Sequence, residues 1–165
     1  CDMHALPEYY QTARDYADIL SFAVRTTQID TVAIESFLPP DTIADIADKC
    51  MESDVIPMIT IRLKAHTTPD MMRAQLADML GLDVHVFHVV MPVSTIEEIK
   101  SMEDTAAAFM QEHAHTNVII QPVGTVAKEQ LLQGNTFHSP LLFAAAGTET
   151  DTLPDSAALK AALAK

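Results

Sequence analysis

Residues 84–100, with the sequence VHVFHVVMPVSTIEEIK, decide the fold class of this chain. Residues 84–91 form a nearly unbroken run of β-branched and apolar side chains, which predicts a strand buried on both faces. Ser94 follows, with Glu97 three residues later, and this spacing predicts a capping box at the start of a helix that continues to about His113. A buried strand that leads directly into an amphipathic helix is the repeating unit of α/β proteins.

The same alternation extends along the chain in both directions. Further strands are predicted at residues 30–37, 55–63, 117–123 and 140–146. Further helices are predicted at residues 7–26, after Pro39-Pro40 with Asp41 as N-cap, after Thr68-Pro69, at 125–133 and at 155–165. We therefore expect a single α/β domain over residues 1–165, with a parallel sheet of about five strands and flanking helices. The pattern leaves open whether the sheet is a partial (β/α) barrel or an opened, rearranged sheet.

Composition narrows the classes of function. The 165 residues carry 10 Lys and Arg against 23 Asp and Glu, a formal net charge of −13 at pH 7. Nucleic-acid backbones and anionic membranes attract concentrated basic surfaces, so we expect neither as a partner. Cys1 and Cys50 give no disulfide framework and no metal-binding spacing, and no apolar run is long enough to span a membrane. These features predict a cytoplasmic protein without a metal or cofactor.

Four stretches resemble type I 3-dehydroquinate dehydratase, a (β/α)8 lyase of the shikimate pathway. Residues 91–100, MPVSTIEEIK, resemble the family passage VMP-x-S-x-x-D, and residues 135–144, NTFHSPLLFA, are similar to EVFGSPLTFA. Residues 32–35, VAIE, are similar to the family strand VDIE, and Thr68-Pro69 to the end of H-D-F-x-x-T-P. Placed on the family barrel, the visible strands correspond to strands four to eight. The chain begins at Cys1, and whether it is a fragment of a longer barrel stays open at this point.

The resemblance also implies a mechanism and the positions that would carry it. Members of the family form a Schiff base between a lysine and the substrate ketone, assisted by a histidine that a glutamate orients. The glutamate is present as Glu35, whereas the lysine position falls on Phe87 and the histidine position on Leu63. The substrate-binding arginine falls on Leu131, and the family sequence PGQ corresponds to Pro154-Asp155-Ser156. The resemblance therefore implies a dehydratase relative whose imine chemistry is lost.

Glu35 is the predicted catalytic acid or base, with pairing to Arg62 or Lys64 as the alternative interpretation. Strand alternation is expected to turn Leu63 into the barrel, and Arg62 and Lys64 away from it. Leu63 and Phe87 would then fill the central pocket with hydrocarbon.

Four further residues are expected at a substrate site, and they are His66, His88, Ser139 and Ser156. A small carboxylate is the expected ligand. A one-residue gap would move His88 onto the lysine position, but an imidazole cannot form an imine. His85 and His88 have opposite parity on one strand, so a shared metal is not expected.

Three hypotheses of function remain. The first is a dehydratase-like protein that is inactive or keeps only a remnant of carbon–oxygen lyase activity. The second is a non-catalytic interaction or regulatory module that forms a homo-oligomer through sheet edges near Val32 and Leu142. The third is a small-ligand enzyme that uses Glu35 with a nearby histidine such as His66. Fold class alone does not choose among the three.

Overall fold

The computed structural model describes residues 13–26, 29–145 and 150–164. Within these residues, four strands form one parallel sheet: β1 (Thr31–Glu35), β2 (Ile56–Arg62), β3 (Val86–Pro92) and β4 (Asn117–Val123). The strands lie side by side in chain order, each hydrogen-bonded to the next. Sequential order is typical of a (β/α) barrel, whereas a doubly wound sheet reverses direction part-way. The described residues form part of such a wall and do not close it into a barrel.

Helices lie before, between and after the strands along the chain. They are α1 (Ala13–Thr26), α2 (Pro40–Glu52), α3 (Pro69–Met79), α4 (Ile96–Glu112), α5 (Thr125–Leu132) and α6 (Ser156–Leu163). A short 3-10 helix, Leu80–Leu82, extends α3. In the part of the chain that the structure describes, no helix is long and apolar enough to cross a membrane.

The hydrophobic core lies between one face of the sheet and the helices. A single row of register neighbours crosses the four strands on this face: Ile34, Ile59, Phe87 and Val118. These four side chains are at most 3 % exposed, and they belong to one cluster with apolar residues of α2, α3 and α4. Full burial of such a side chain stabilises the fold by roughly 1.5–3 kcal/mol. We call the side of the sheet that carries this row the helix-covered face.

The ends of two helices differ from the sequence prediction by one or two residues. The predicted capping box of Ser94 and Glu97 is wrong, because Thr95 is the N-cap of α4 and pairs reciprocally with Glu98. The prediction of Asp41 as N-cap of α2 is also wrong. Pro39 holds that position without a side-chain hydrogen bond, and Asp41 lies within the first turn. The fixed φ of Pro40 suits the first helical residue, so the helix begins before the first acidic side chain.

The predicted fifth strand is wrong over residues 140–145, which form no regular strand. Ala145 makes one isolated parallel bridge to Asp155, and its N–H donates to the carbonyl of Pro154 at 2.8 Å. This part of the chain thus pairs locally with the residues that lead into α6 and not with the sheet. Residue 146 and the predicted helical residues 7–12 and 165 lie outside the described residues.

Candidate functional site

The face of the sheet opposite the helix-covered face carries a cluster of polar side chains. Glu35, Thr60 and His88 are register neighbours on β1, β2 and β3. Arg62 on β2 and Gln121 on β4 project from the same face, because side chains alternate along a strand. We call these five residues the Glu35 cluster. Its first three members are at most 6 % exposed, so the cluster is built into the protein and is not a solvated surface.

Glu35 and Arg62 form the ion pair of the cluster. Arg62 Nη2 donates to Glu35 Oε1 at 3.0 Å, and Nε donates to Oε1 and Oε2 at 3.3 and 3.2 Å. The Glu35 side chain is 3 % exposed, whereas the Arg62 side chain is 36 % exposed. A buried carboxylate is costly without a partner, and the planar guanidinium supplies both charge and directed donors. Arg62 therefore holds the Glu35 carboxylate in place, while its own side chain stays partly exposed to solvent.

His88 occupies the middle of the cluster as a neutral imidazole. The pKa of His88 is lowered to about 4, mainly because the ring is buried. The hydrogen bond to Gln121 raises this pKa, and the positive charge of Arg62 lowers it further. His88 Nε2 lies 2.8 Å from Gln121 Oε1, and Nδ1 lies 3.3 Å from the Thr60 hydroxyl. A neutral ring that donates from Nε2 to the amide oxygen accepts at Nδ1 from the hydroxyl. The three side chains thus satisfy one another.

Phe143 covers the cluster from the segment that follows α5. Its ring stacks on the His88 ring with centroids 4.5 Å apart and an interplanar angle of 21°. Gln121 and Phe143 also line a small pocket of about 10 Å³ with apolar residues of the same segment. The residues that were predicted to form the last strand instead supply an aromatic cover for the polar face.

The structure reverses the predicted orientation of the strand residues. Phe87 and Leu63 lie on the helix-covered face within the hydrophobic core, and they are 0 % and 5 % exposed. The prediction that they fill a central pocket is wrong, and so is the prediction that Arg62 turns away from the barrel interior, because Arg62 projects from the same face as Glu35 and pairs with it. Side chains alternate between the two faces of a strand, so a wrong orientation for one residue reverses the predicted orientation of every residue on that strand. The correspondence of Phe87 and Leu63 to the family lysine and histidine positions stays a prediction.

Of the predicted substrate-binding residues, the structure brings His88 into the Glu35 cluster and gives the other three separate surroundings. His66 Nδ1 lies 2.6 Å from Glu98 Oε1, at the start of α4. The Ser139 hydroxyl donates to the carbonyl of Leu141 at 2.9 Å, and Ser156 is an exposed first residue of α6. The histidine near Glu35 is therefore His88 and not His66.

Sequence reasoning missed Thr60, Gln121 and Phe143 as members or neighbours of the site. Thr60 and Gln121 are polar residues inside apolar strands, and this signal could have identified them once the strand register was known. Phe143 gave no such signal, because an aromatic residue in an apolar segment is ordinary core composition. Across the described ranges, no group of three or more His, Cys, Asp or Glu side chains could hold a metal ion.

Solved structures of known enzymes share this architecture. The chain is similar to a type I 3-dehydroquinate dehydratase from Clostridium difficile, determined with covalent modified comenic acid, at 14 % identity and a TM-score of 0.76. It is also similar to 3-dehydroquinate dehydratase from Geobacillus kaustophilus HTA426, at 16 % identity and a TM-score of 0.77. The matches cover 93 % of this chain but only 61 % and 60 % of those enzymes.

A third similar structure is 3-dehydroquinate dehydratase from Enterococcus faecalis, at 12 % identity and a TM-score of 0.71 over 93 % of this chain and 61 % of that one. No family model and no curated protein sequence matches the chain. The structural likeness therefore establishes the fold, which is a part of the dehydratase barrel. The chain spans about three fifths of the length of those enzymes.

Proposed function

We propose that this chain is a type I 3-dehydroquinate dehydratase-like protein that does not carry out dehydration through a Schiff base. Two features support the proposal: the shared barrel architecture, and the composition of the polar face that the barrel architecture turns inward. The single observation that carries it is the ion pair of Glu35 with Arg62. The carboxylate that corresponds to the family glutamate is held by a guanidinium and belongs to a cluster without a lysine.

The chemistry of the cluster supports the same conclusion. Imine formation requires a primary amine that can lose its proton and attack a ketone carbon. A guanidinium stays protonated at all ordinary pH values, and the imidazole of His88 forms no stable imine. The Thr60 hydroxyl is engaged with His88 and is 1 % exposed, so it is not available to substrate as a nucleophile. The cluster can hold charge and orient a neutral histidine, but it supplies no group for the covalent step.

Borohydride trapping tests the proposal. The protein is incubated with 3-dehydroquinate and sodium borohydride, which reduces any imine to a stable secondary amine, and its intact mass is measured. We expect no increase in mass, while a competent type I dehydratase treated in parallel gains the mass of one reduced ligand. An adduct on any lysine contradicts the proposal.

The variant Lys64→Arg serves as the matched control for that experiment. Lys64 is an exposed lysine just after β2, and the substitution keeps its charge but removes its amine. If the wild-type protein formed an adduct and this variant did not, the proposal would be wrong and Lys64 would be identified as the nucleophile.

A small carboxylate is the proposed ligand of this face, bound without turnover. The contacts with Glu35 use Nε and Nη2 of Arg62, and the side chain is 36 % exposed, so Nη1 is the group proposed to donate hydrogen bonds to the ligand carboxylate. Calorimetric titration with 3-dehydroquinate and with quinate, on wild type and Arg62→Met, measures this binding. We expect weak binding by wild type and none by the variant.

Self-association through the sheet edges is the second proposed property. The observation that favours it is the order of the sheet, whose described wall is not closed and has β1 and β4 as its outer strands. The edge near Val32 therefore lies on β1, whereas the edge predicted near Leu142 is wrong, because those residues form no strand and β4 is the outer strand on that side. Sedimentation equilibrium over a hundredfold range of protein concentration is the measurement. A mass that rises from monomer to dimer supports edge pairing, and a constant monomer mass contradicts it.

A further inference from the structure

A groove on the other side of the sheet has no part in the function proposed above. It has a volume of about 280 Å³ and lies between the loop after β2 with the start of α3 and the first turns of α4. Its polar rim includes His66, Thr67, Glu97 and Glu98. Met91 and Phe87 are four residues apart on β3, so they project from the same face of the sheet. The groove therefore lies on the side of the helix-covered face, away from the Glu35 cluster.

The interior of the groove is formed by thioether side chains. Met72, Met91 and Met102 line it and are at most 4 % exposed as residues. They come from α3, β3 and α4, so three separate elements converge on the same space. Methionine is flexible and polarisable, and methionine-lined sites adapt to unbranched apolar ligands. The interior therefore favours a slender alkyl chain over a rigid, highly polar molecule.

The rim carries negative charge that is fixed in place. Glu98 Oε2 accepts hydrogen bonds from the backbone N–H groups of Ser94 at 2.7 Å and Thr95 at 3.2 Å. The Ser94 N–H is the main cause that lowers the pKa of Glu98, and His66 adds to the effect. Glu98 is consequently ionised and can only accept, so Nδ1 of His66 is the donor across the 2.6 Å contact.

His66 is held at the rim in an uncommon backbone conformation. Its φ is +60°, in the left-handed region that non-glycine residues seldom adopt. The side chain is 74 % exposed, so the contact with Glu98 and the turn closed by Thr67, whose hydroxyl donates to the Lys64 carbonyl, set its direction. The rim therefore presents the His66 ring beside the carboxylates of Glu97 and Glu98.

We propose that this groove binds a small organic cation, a primary ammonium with an unbranched apolar tail. The tail occupies the space between Met72, Met91 and Met102, and the ammonium donates to Glu97 and to the acceptor atoms of the rim. The described lining residues include two glutamates and neither lysine nor arginine. The net charge of −13 on the whole chain adds a long-range attraction for cations.

The size of the groove limits the ligand. Sites for drug-sized molecules occupy roughly 300–1,000 Å³. A groove of about 280 Å³ lies below that range, so the ligand class is an alkylamine of a few carbons and not a nucleotide or a peptide. Hexylammonium is the probe that combines the required charge with a tail of suitable length.

Methyl NMR of the full chain, labelled with 13C at the methionine methyl groups, tests the proposal. Titration with hexylammonium is compared with hexanoate, which has the same number of carbons and the opposite charge. We expect saturable shifts of Met72, Met91 and Met102, with at least tenfold weaker binding of hexanoate. Met51 and Met71, which are 49 % and 55 % exposed and lie outside the groove, are internal controls that stay unchanged.

Two variants give the test a second arm. Glu97→Gln removes an exposed charge from the rim without touching the capping box, and we expect about three- to tenfold weaker hexylammonium binding. Ser101→Phe introduces a ring into the groove and is expected to abolish the shifts. Equal shifts with hexylammonium and hexanoate, equal shifts of Met51 and Met71, or unchanged affinity in Glu97→Gln would each overturn the proposal. None of these outcomes depends on the trapping experiment, which reports on the other side of the sheet.

Discussion

Both faces of the sheet bury side chains, and the two faces are stabilised by different means. The helix-covered face is hydrocarbon from β1 to β4, with Ile34, Ile59 and Phe87 each 0 % exposed. The opposite face buries Glu35 and His88 to 2 % and 6 % exposure, and each has a specific partner. Burial of hydrocarbon stabilises in proportion to area, whereas a buried polar group stabilises only while its partner is present. The two faces should therefore respond to substitution in different ways.

The largest expected effect comes from the helix-covered face. Ile59→Ala removes methyl groups from a completely buried position, and we expect a loss of about 3–4 kcal/mol in the free energy of unfolding. Ile56→Ala is the matched control, because Ile56 lies on the same strand but is 52 % exposed, and the expected loss is under about 1 kcal/mol. Urea denaturation followed by circular dichroism measures both. Equal losses would break the distinction between the faces.

The ion pair provides the next largest effect. Arg62→Met leaves the Glu35 carboxylate buried without its partner, and we expect a loss of about 2–3 kcal/mol, reduced from the fully buried case because Arg62 is partly exposed to solvent. The double variant Glu35→Leu/Arg62→Met replaces both charges with hydrocarbon and should recover most of that loss. The comparison uses a double-mutant cycle of urea denaturation. Additive losses in the double variant would show that the two side chains are not coupled.

His88 makes the stability of the polar face depend on pH. Its pKa of about 4 in the folded protein lies below the ordinary value of 6.5, so the unfolded chain binds the proton more readily. Its contribution is complete above about pH 6.5 and is lost as the pH falls towards 4. Between pH 7 and pH 5 we expect this group to cost about 2 kcal/mol of stability.

The variant His88→Gln isolates that contribution. It lacks a titrating group at this position, so its stability should fall less steeply over the same pH range than that of wild type. His85→Gln, at a histidine whose side chain is 61 % exposed, is the control and should keep the wild-type slope. Thermal denaturation in buffers of matched ionic strength gives the slopes, and parallel curves for all three proteins would contradict the burial of His88.

The smallest expected effect concerns the cover of the polar face. Phe143→Ala removes the ring stacked on His88, and we expect a loss of about 1 kcal/mol together with a rise of the His88 pKa as water gains access. Leu141→Ala, in the same segment at 50 % exposure, should change neither quantity. NMR titration of the imidazole carbon protons reports the pKa. An unchanged pKa in Phe143→Ala would show that the segment does not cover the face.

Local sequence patterns predicted the regular elements well. The apolar runs of β2 to β4 and the amphipathic pattern of α4 are properties of neighbouring residues, and both were predicted within a few positions. Residues 140–145 carried the same apolar signal and form no strand, because their pairing depends on the distant segment before α6. The N-caps were misassigned for a related reason: Ser94 and Thr95 are both good caps, and the side-chain geometry selects Thr95.

The candidate site was harder to predict because it depends on register. The pairing of Glu35 with Arg62 was predicted as one alternative. The orientation of β2 was inferred by placing Leu63 inside the barrel, and the structure shows the opposite orientation. The contact of His66 with Glu98 joins residues 32 positions apart, which no local pattern encodes. Spatial partners of this kind become visible only when strands and helices are placed together.

Direct measurement of dehydration tests the central claim, which is that the polar face of this barrel wall is a paired, lysine-free cluster. Formation of the conjugated enone from 3-dehydroquinate is followed by ultraviolet absorbance at increasing protein concentrations. We predict a rate equal to that of buffer alone at every concentration. A rate that rises in proportion to the protein and disappears after treatment with substrate and borohydride would contradict the account.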